Sequence, residues 1–224
     1  MILPVNKPPG LSSFDVIRIF KKKAKFTGKV GHAGTLDPFA CGLLILLLNS
    51  STKLFDKFQT FKKTYLAGVK LGEKSQTLDV EGNIEKGEYK KISKEALLEV
   101  LPQFKGKITQ KVPEFSAAKY KGKPLYKLAK KGRVVEKFKE VEVFDAKLVA
   151  FKPPLVVLKL TVSSGAYIRS LTFDIFKKLG IDSFLYFLKR ETIGPFTLDR
   201  ACKIEEFENQ SWKKKLISPK QLKP

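Results

Sequence analysis

Gly31-His32-Ala33-Gly34-Thr35-Leu36-Asp37-Pro38-Phe39-Ala40-Cys41-Gly42-Leu43-Leu44 is the stretch on which the reading of this chain turns. It holds the only histidine of the protein, with an Asp-Pro pair at 37–38. Glycines at 31 and 34, together with Pro38, break any long regular element, so Lys29 to Cys41 reads as a loop. The loop runs into the apolar segment Gly42 to Leu48. Glycine permits unusual backbone angles and close approach of a ligand, and loops set on a rigid scaffold carry much catalytic chemistry.

On residue chemistry alone, several readings of this loop stay open. A metal centre needs more ligands than His32 and Asp37, and no further cluster is visible. Cys41 as a nucleophile needs a histidine oriented by a third group, whereas its apolar surroundings read as a buried thiol. Asp37 as a nucleophile is chemically sound, since carboxylates attack sugar carbons in glycosyl transfer. His32 and Asp37 as plain turn residues fit equally well.

Working outward, Ile2 to Val5 reads as a strand leading to the turn Asn6-Lys7-Pro8-Pro9-Gly10. Ser12-Ser13-Phe14-Asp15 reads as a capping box for a helix carrying Val16, Ile17, Phe20 and Ala24. Downstream, Tyr65 to Leu71, Val141 to Val149 and Leu155 to Val162 read as strands, with a turn at Gly82-Asn83. Ser93 to Leu101 and Ile168 to Leu179 read as helices, the second closed by Gly180. Strands and helices alternate irregularly, without repeat, linker or visible boundary, which predicts one α+β domain over residues 1–224.

Composition narrows the partners. Lys plus Arg number 44 against 22 acids, a formal charge of +22 with a pI near 9.9. A chain so charged repels itself, and a polyanion is the natural compensating partner. Only five of the basic residues are arginines, at 18, 133, 169, 190 and 200. Lysine is a hydrated point charge that holds phosphate without reading sequence. Residues 105–133 concentrate this pattern, interleaving lysines with Phe115, Tyr120 and Tyr126. Cys41 and Cys202 are the only cysteines and form no zinc or disulfide spacing, which points to a reducing cytoplasm. The N-terminus does not read as a signal peptide, and no apolar run approaches the ~20 residues that cross a bilayer.

The 31–44 stretch resembles the signature of the TruB-type pseudouridine synthases, with Cys41 where the family usually has a small or hydroxyl residue. Asn6-Lys-Pro-Pro-Gly-Leu-Ser-Ser13, Lys63-Thr-Tyr65 with Gly72, Pro113 to Tyr126, Ser164 to Leu171 and Leu188-Lys-Arg190 resemble the family's other motifs, in order. The resemblance implies the pseudouridine synthase fold, a curved, mostly antiparallel sheet flanked by helices with an RNA-binding cleft. It implies conversion of uridine to pseudouridine at position 55 of the tRNA T-loop, without cofactor or metal. Asp37 matches the family nucleophile. His32 matches the histidine that holds the RNA loop open around the flipped uridine. Tyr65 matches the tyrosine stacked on the base, Arg169 the arginine paired with the catalytic carboxylate, and Tyr167 and Leu188 the pocket lining.

By the same resemblance, residues 105–133 form the insertion that folds over the tRNA T-arm. No obligate protein partner is implied, and a monomer is expected. The two dozen residues after Arg200 are too few for the family's usual C-terminal PUA module. Phe207, Trp212 and Leu216 are expected to pack one last helix on the core instead. Three rivals are an RNA-guided relative acting on ribosomal RNA, a non-catalytic RNA chaperone or binding module on the same scaffold, and a basic ribosome-associated protein, which would leave the ordered motifs unexplained.

With lysine as the main phosphate ligand, RNA affinity should depend steeply on salt. Between about 50 and about 200 mM monovalent salt, the dissociation constant for a T-arm transcript is expected to rise by about a hundredfold or more. A filter-binding titration at several salt concentrations checks this, and a flat profile would contradict a lysine-borne interface.

Overall fold

The computed structural model describes residues 1–222. The chain opens with β1 (Ile2–Lys7), α1 (Ser13–Lys23), β2 (Val30–His32), β3 (Cys41–Leu48), α2 (Phe55–Gln59) and β4 (Lys63–Leu71). It continues through β5 (Glu73–Ser75), β6 (Ile84–Lys86), α3 (Lys94–Val100), β7 (Gly106–Lys111), β8 (Lys119–Tyr120) and β9 (Lys123–Pro124). The last elements are α4 (Leu125–Ala129), β10 (Phe138–Lys152), β11 (Leu155–Val162), α5 (Ile168–Lys178), β12 (Ser183–Ile193) and β13 (Phe196–Thr197). Short 3-10 turns fill several of the connections.

Two compact units emerge, one of residues 1–66 with 188–224 and one of residues 67–187. The sequence shows no boundary because none lies in a loop. Both divisions fall inside strands, at Leu66/Ala67 in β4 and Phe187/Leu188 in β12. No Pro- or Gly-rich linker marks either crossing.

In the first unit, β3 is the central strand. β1 pairs with it antiparallel from Ile2↔Leu47 to Lys7↔Gly42. On its other edge, β12 runs parallel at Lys189↔Cys41 and Arg190↔Gly42. The rest of that edge is taken by β2, antiparallel at Val30↔Leu48 to His32↔Leu46. The predicted loop over 29–41 is therefore partly a strand, since β12 leaves the backbone of Leu46 to Leu48 free to pair.

The apolar run of β3 makes sense by its period of two. Leu44, Leu46 and Leu48 enter one core with Val16, Ile17 and Phe20 of α1, joined by Phe207 and Trp212. Leu43, Ile45 and Leu47 enter a second core with Phe58, Ile193 and Phe196. A strand covered on both faces must be apolar at every position.

Helix α1 begins as its sequence predicts. The Ser12 side chain accepts from the Asp15 amide while Asp15 accepts from the Ser12 amide, closing a capping box. The Ser12 hydroxyl, which donates to the Asp15 carboxylate at 2.6 Å, then the Arg18 guanidinium and the Ser12 amide hold the Asp15 carboxyl down at about 2. The C-terminal segment departs from expectation. Phe207, Trp212 and Leu216 do pack on the α1 side of the sheet, but from 3-10 turns at Ile204–Phe207 and Ser211–Lys215. Gln210 adopts a left-handed conformation (φ 60°), which reverses the chain and prevents one continuous helix.

In the second unit, β10 pairs antiparallel with β11 on one edge and β7 on the other. The alternation of β11 places Val156, Leu158, Leu160 and Val162 inside, with Lys159 outward. Helix α5 buries Ile168, Leu171, Ile175 and Phe176, and Gly180 beyond its end takes the left-handed conformation (φ 71°). Within the stretch 105–133, Gly106–Lys111 is strand β7, and the β8–β9 hairpin and α4 follow, with a small core of Val112, Leu125 and Leu128.

Phe20 is the hinge of the α1 core, with ring centroids 5.1 Å from Phe207, 4.9 Å from Trp212 and 5.4 Å from Phe26. Phe20→Ala is expected to cost about 3–5 kcal/mol. Urea unfolding of the variant measures it, and a loss below about 1 kcal/mol would show that the cluster closes over the cavity.

Candidate active site

Asp37 lies half-buried in the connection between β2 and β3, and the backbone around it is held at every carbonyl. The Gly34 and Thr35 carbonyls accept from the Arg190 guanidinium at 3.2 and 3.3 Å. The Leu36 carbonyl accepts from the Ser13 hydroxyl, which in turn accepts from the Leu36 amide at 2.9 Å. The Asp37 carbonyl accepts from the Ala40 amide at 3.1 Å, closing a turn. The Pro38 carbonyl accepts from the Gly10 amide at 2.8 Å and from Lys7 Nζ at 3.1 Å.

Apart from the Ala40 amide, which lies within the loop, these donors come from β1, the turn after it, α1 and β12 of the same unit. Lys7 ends β1 with no exposed surface, and its ammonium also donates to the Pro8 and Leu11 carbonyls. It thereby ties the Asn6–Ser13 turn to the Asp37 loop. Ser13 sits in the first turn of α1. Arg190 reaches in from β12 and also donates through Nε to the Leu43 carbonyl at 2.7 Å. A Cβ on Gly42 would stand 2.4 Å from the Arg190 carbonyl oxygen, at φ +106°. Only glycine lets β12 approach the loop's exit this closely.

The other residues singled out in the sequence divide between the two units. His32, Tyr65 and Leu188 belong with Asp37 to the first unit. Tyr65 and Leu188 are buried on β4 and β12, and the Arg190 guanidinium lies 6.0 Å from the Tyr65 ring centroid. His32 ends β2. Burial first, then the Arg190 charge, holds its imidazole below the usual histidine value, with the Gly34 backbone acting weakly the other way.

Tyr167 and Arg169 belong to the second unit. Tyr167 caps α5, its backbone bridged in both directions by the Gln110 side chain, and its ring packs on Val112, Leu125 and Leu128. Arg169 is buried and pairs with Asp79 at 3.1 Å. It donates as well to the Thr77 and Phe115 carbonyls at 2.9 and 3.0 Å. Asp79 was not foreseen, since an aspartate near a turn carries no signal of burial. Nor was a role for Arg190 or Lys7, although both stand in quoted motifs.

Cys41 is a free, half-buried thiol at the start of β3, and Cys202 is buried, its thiol pushed up to about 12 by desolvation. Among the described residues, no three of His, Cys, Asp and Glu converge as a metal cluster. Among the described residues, no helix is long and apolar enough to cross a membrane.

Comparisons with known proteins give the family and the fold. Residues 18–168 match the TruB family pseudouridylate synthase (N terminal domain), and the chain belongs to that family. It is 39% identical over 212 residues to the tRNA pseudouridine synthase B of Clostridium tetani, covering 94% of this chain and 73% of that one. Against the enzyme of the same name from Thermotoga maritima it is 39% identical over 215 residues, covering 93% and 69%.

Among solved structures, a chain of a Cbf5-Nop10-Gar1 complex superposes with a TM-score of 0.74 at 24% identity. A chain of an H/ACA RNP bound to a substrate RNA containing 2'-deoxyuridine gives 0.71 at 22%. Each alignment covers 97% of this chain and 56% of the other, so the chain spans just over half of those proteins. They establish the α+β pseudouridine synthase fold expected from the motifs.

The buried Arg169–Asp79 pair generates a stability prediction. Asp79→Ala leaves a guanidinium in a dry site and is expected to cost about 3–5 kcal/mol. Urea unfolding with an unchanged m-value would verify it, whereas a loss under about 1 kcal/mol would mean that water or another carboxylate replaces the partner.

Proposed function

We propose that this chain is a pseudouridine synthase acting on tRNA, converting uridine 55 of the T-loop, with Asp37 as nucleophile. The observation that carries the reading is the Asp37 loop itself. Its carbonyls from Gly34 to Pro38 are all engaged by side chains or amides, so the backbone presents the carboxylate in one fixed way. Such preorganisation is what a nucleophile at a flipped nucleotide needs and what a mere turn does not. Family membership and the names of the relatives support the reaction and the substrate class.

The reaction is an isomerisation. The bond from the ribose C1′ to uracil N1 breaks, the base turns, and C1′ bonds to C5. The proton on C5 leaves to solvent and N1 gains one, so no redox partner or cofactor enters the balance. In this reading Asp37 forms the transient covalent bond, and Tyr65 and Leu188 bound the site of the base. His32, kept neutral by burial and by Arg190, wedges the RNA loop without adding charge. By the motif match, Tyr167 and Arg169 take the roles of the family's pocket-lining tyrosine and carboxylate-pairing arginine. The hairpin and helix after β7 clasp the T-arm through Tyr120, Tyr126 and the lysines around them. The enzyme works in the cytoplasm as a monomer without an obligate protein partner.

The test is tritium release from carbon-5-labelled uridine in a T-arm transcript. The wild-type chain is expected to release tritium stoichiometrically with product, and Asp37→Asn to lose release by about 10⁴-fold or more while binding RNA as before. Binding without release by the wild type would turn the reading to a non-catalytic RNA-binding role.

A further inference from the structure

Arg190 is 1% exposed, and among the described residues no carboxylate lies within ion-pair distance of it. A guanidinium cannot shed its charge to relieve burial. Its compensation here is three backbone carbonyls, at Gly34, Thr35 and Leu43, reached by three different nitrogens. Two of these carbonyls precede Asp37 and one follows it. The planar fork thus fixes both ends of the segment that carries the carboxylate. The dependence is mutual, because displacing any one carbonyl leaves a buried cation less solvated.

We infer that Arg190 is the positioning residue of the Asp37 loop, its guanidinium fork setting the backbone path on which the carboxylate is presented. The inference rests on the reading of Asp37 as nucleophile. A purely structural role, fastening β12 to β3, would need only the strand pairing at Lys189↔Cys41 and Arg190↔Gly42, which any side chain at 190 can make. The fork goes further. It reaches past the strand into the loop, its charge acts on His32, and it lies over the Tyr65 ring. One buried cation touches the surroundings of three residues singled out for the reaction.

The geometry separates charge from shape. Lysine at 190 keeps the charge but concentrates its donors on one nitrogen, which cannot span three carbonyls. Methionine keeps the stem and removes both. In the full-length chain, Arg190→Lys is expected to lower kcat for tritium release about tenfold and Arg190→Met about a hundredfold, with RNA affinity within about threefold of wild type. His32, the only histidine, gives a single imidazole signal by NMR. Its titration is expected to shift upward in Arg190→Met and to stay in place in Arg190→Lys. The Leu36 and Ala40 amides are expected to lose hydrogen-exchange protection in both variants.

Wild-type kcat in Arg190→Lys, or unchanged Leu36 and Ala40 exchange in Arg190→Met, would overturn the assignment. Should the methionine variant fail to fold, the lysine variant decides by kcat and exchange. If the wild type itself releases no tritium, the functional reading fails on its own, while exchange and the His32 titration still judge the positioning role.

Discussion

The protein depends on keeping a carboxylate-bearing loop still by saturating its backbone. Five successive carbonyls, from Gly34 to Pro38, have partners; the Asp37 carbonyl is met by the Ala40 amide within the loop, and the other partners come from β1, the turn after it, α1 and β12. A buried carbonyl without a donor is costly, so once these segments are in place the loop has one low-energy path. The central strand, the two cores on its faces and the buried cations Lys7 and Arg190 all converge on that requirement. Lys7 and Arg190 divide the labour, one at the Pro38 end and the other at the Gly34–Thr35 end.

Parts of this arrangement are written in local patterns. The Ser12–Asp15 capping box, the alternation of Leu155 to Val162 and the Ile168–Leu171–Ile175 stripe are short-range signals, and each element forms where its pattern stands. The 31–44 stretch drew attention because glycine, histidine and Asp-Pro crowd into it, but its resemblance to a family signature is what singled out Asp37 as nucleophile. Other parts had no such signal. Lys7 and Lys63 are buried among many solvated lysines, and burial of a charged side chain depends on carbonyls that only the folded chain assembles. Asp79 is likewise an ordinary acidic residue until Arg169 is packed against it. The division into two units escaped notice because it runs through strands, and the strand β2 because three residues carry too little periodicity.

The second unit uses a different device for its buried charge. Arg169 finds a carboxylate in Asp79 as well as two carbonyls, whereas Arg190 relies on carbonyls. A carboxylate close to Arg190 would compete with any anion drawn toward the loop. Backbone dipoles solvate the Arg190 charge without a formal anion beside it.

The split of β3 between two cores has a consequence for how the chain can change. Because odd and even positions from Leu43 to Leu48 serve separate interiors, inserting or deleting one residue would exchange the contents of both at once. It would also carry Asp37 roughly 3.3 Å along the strand axis. Strand and loop are therefore inherited as one fixed ruler. A length change here would disturb both cores and the loop together, whereas a substitution can be absorbed in one.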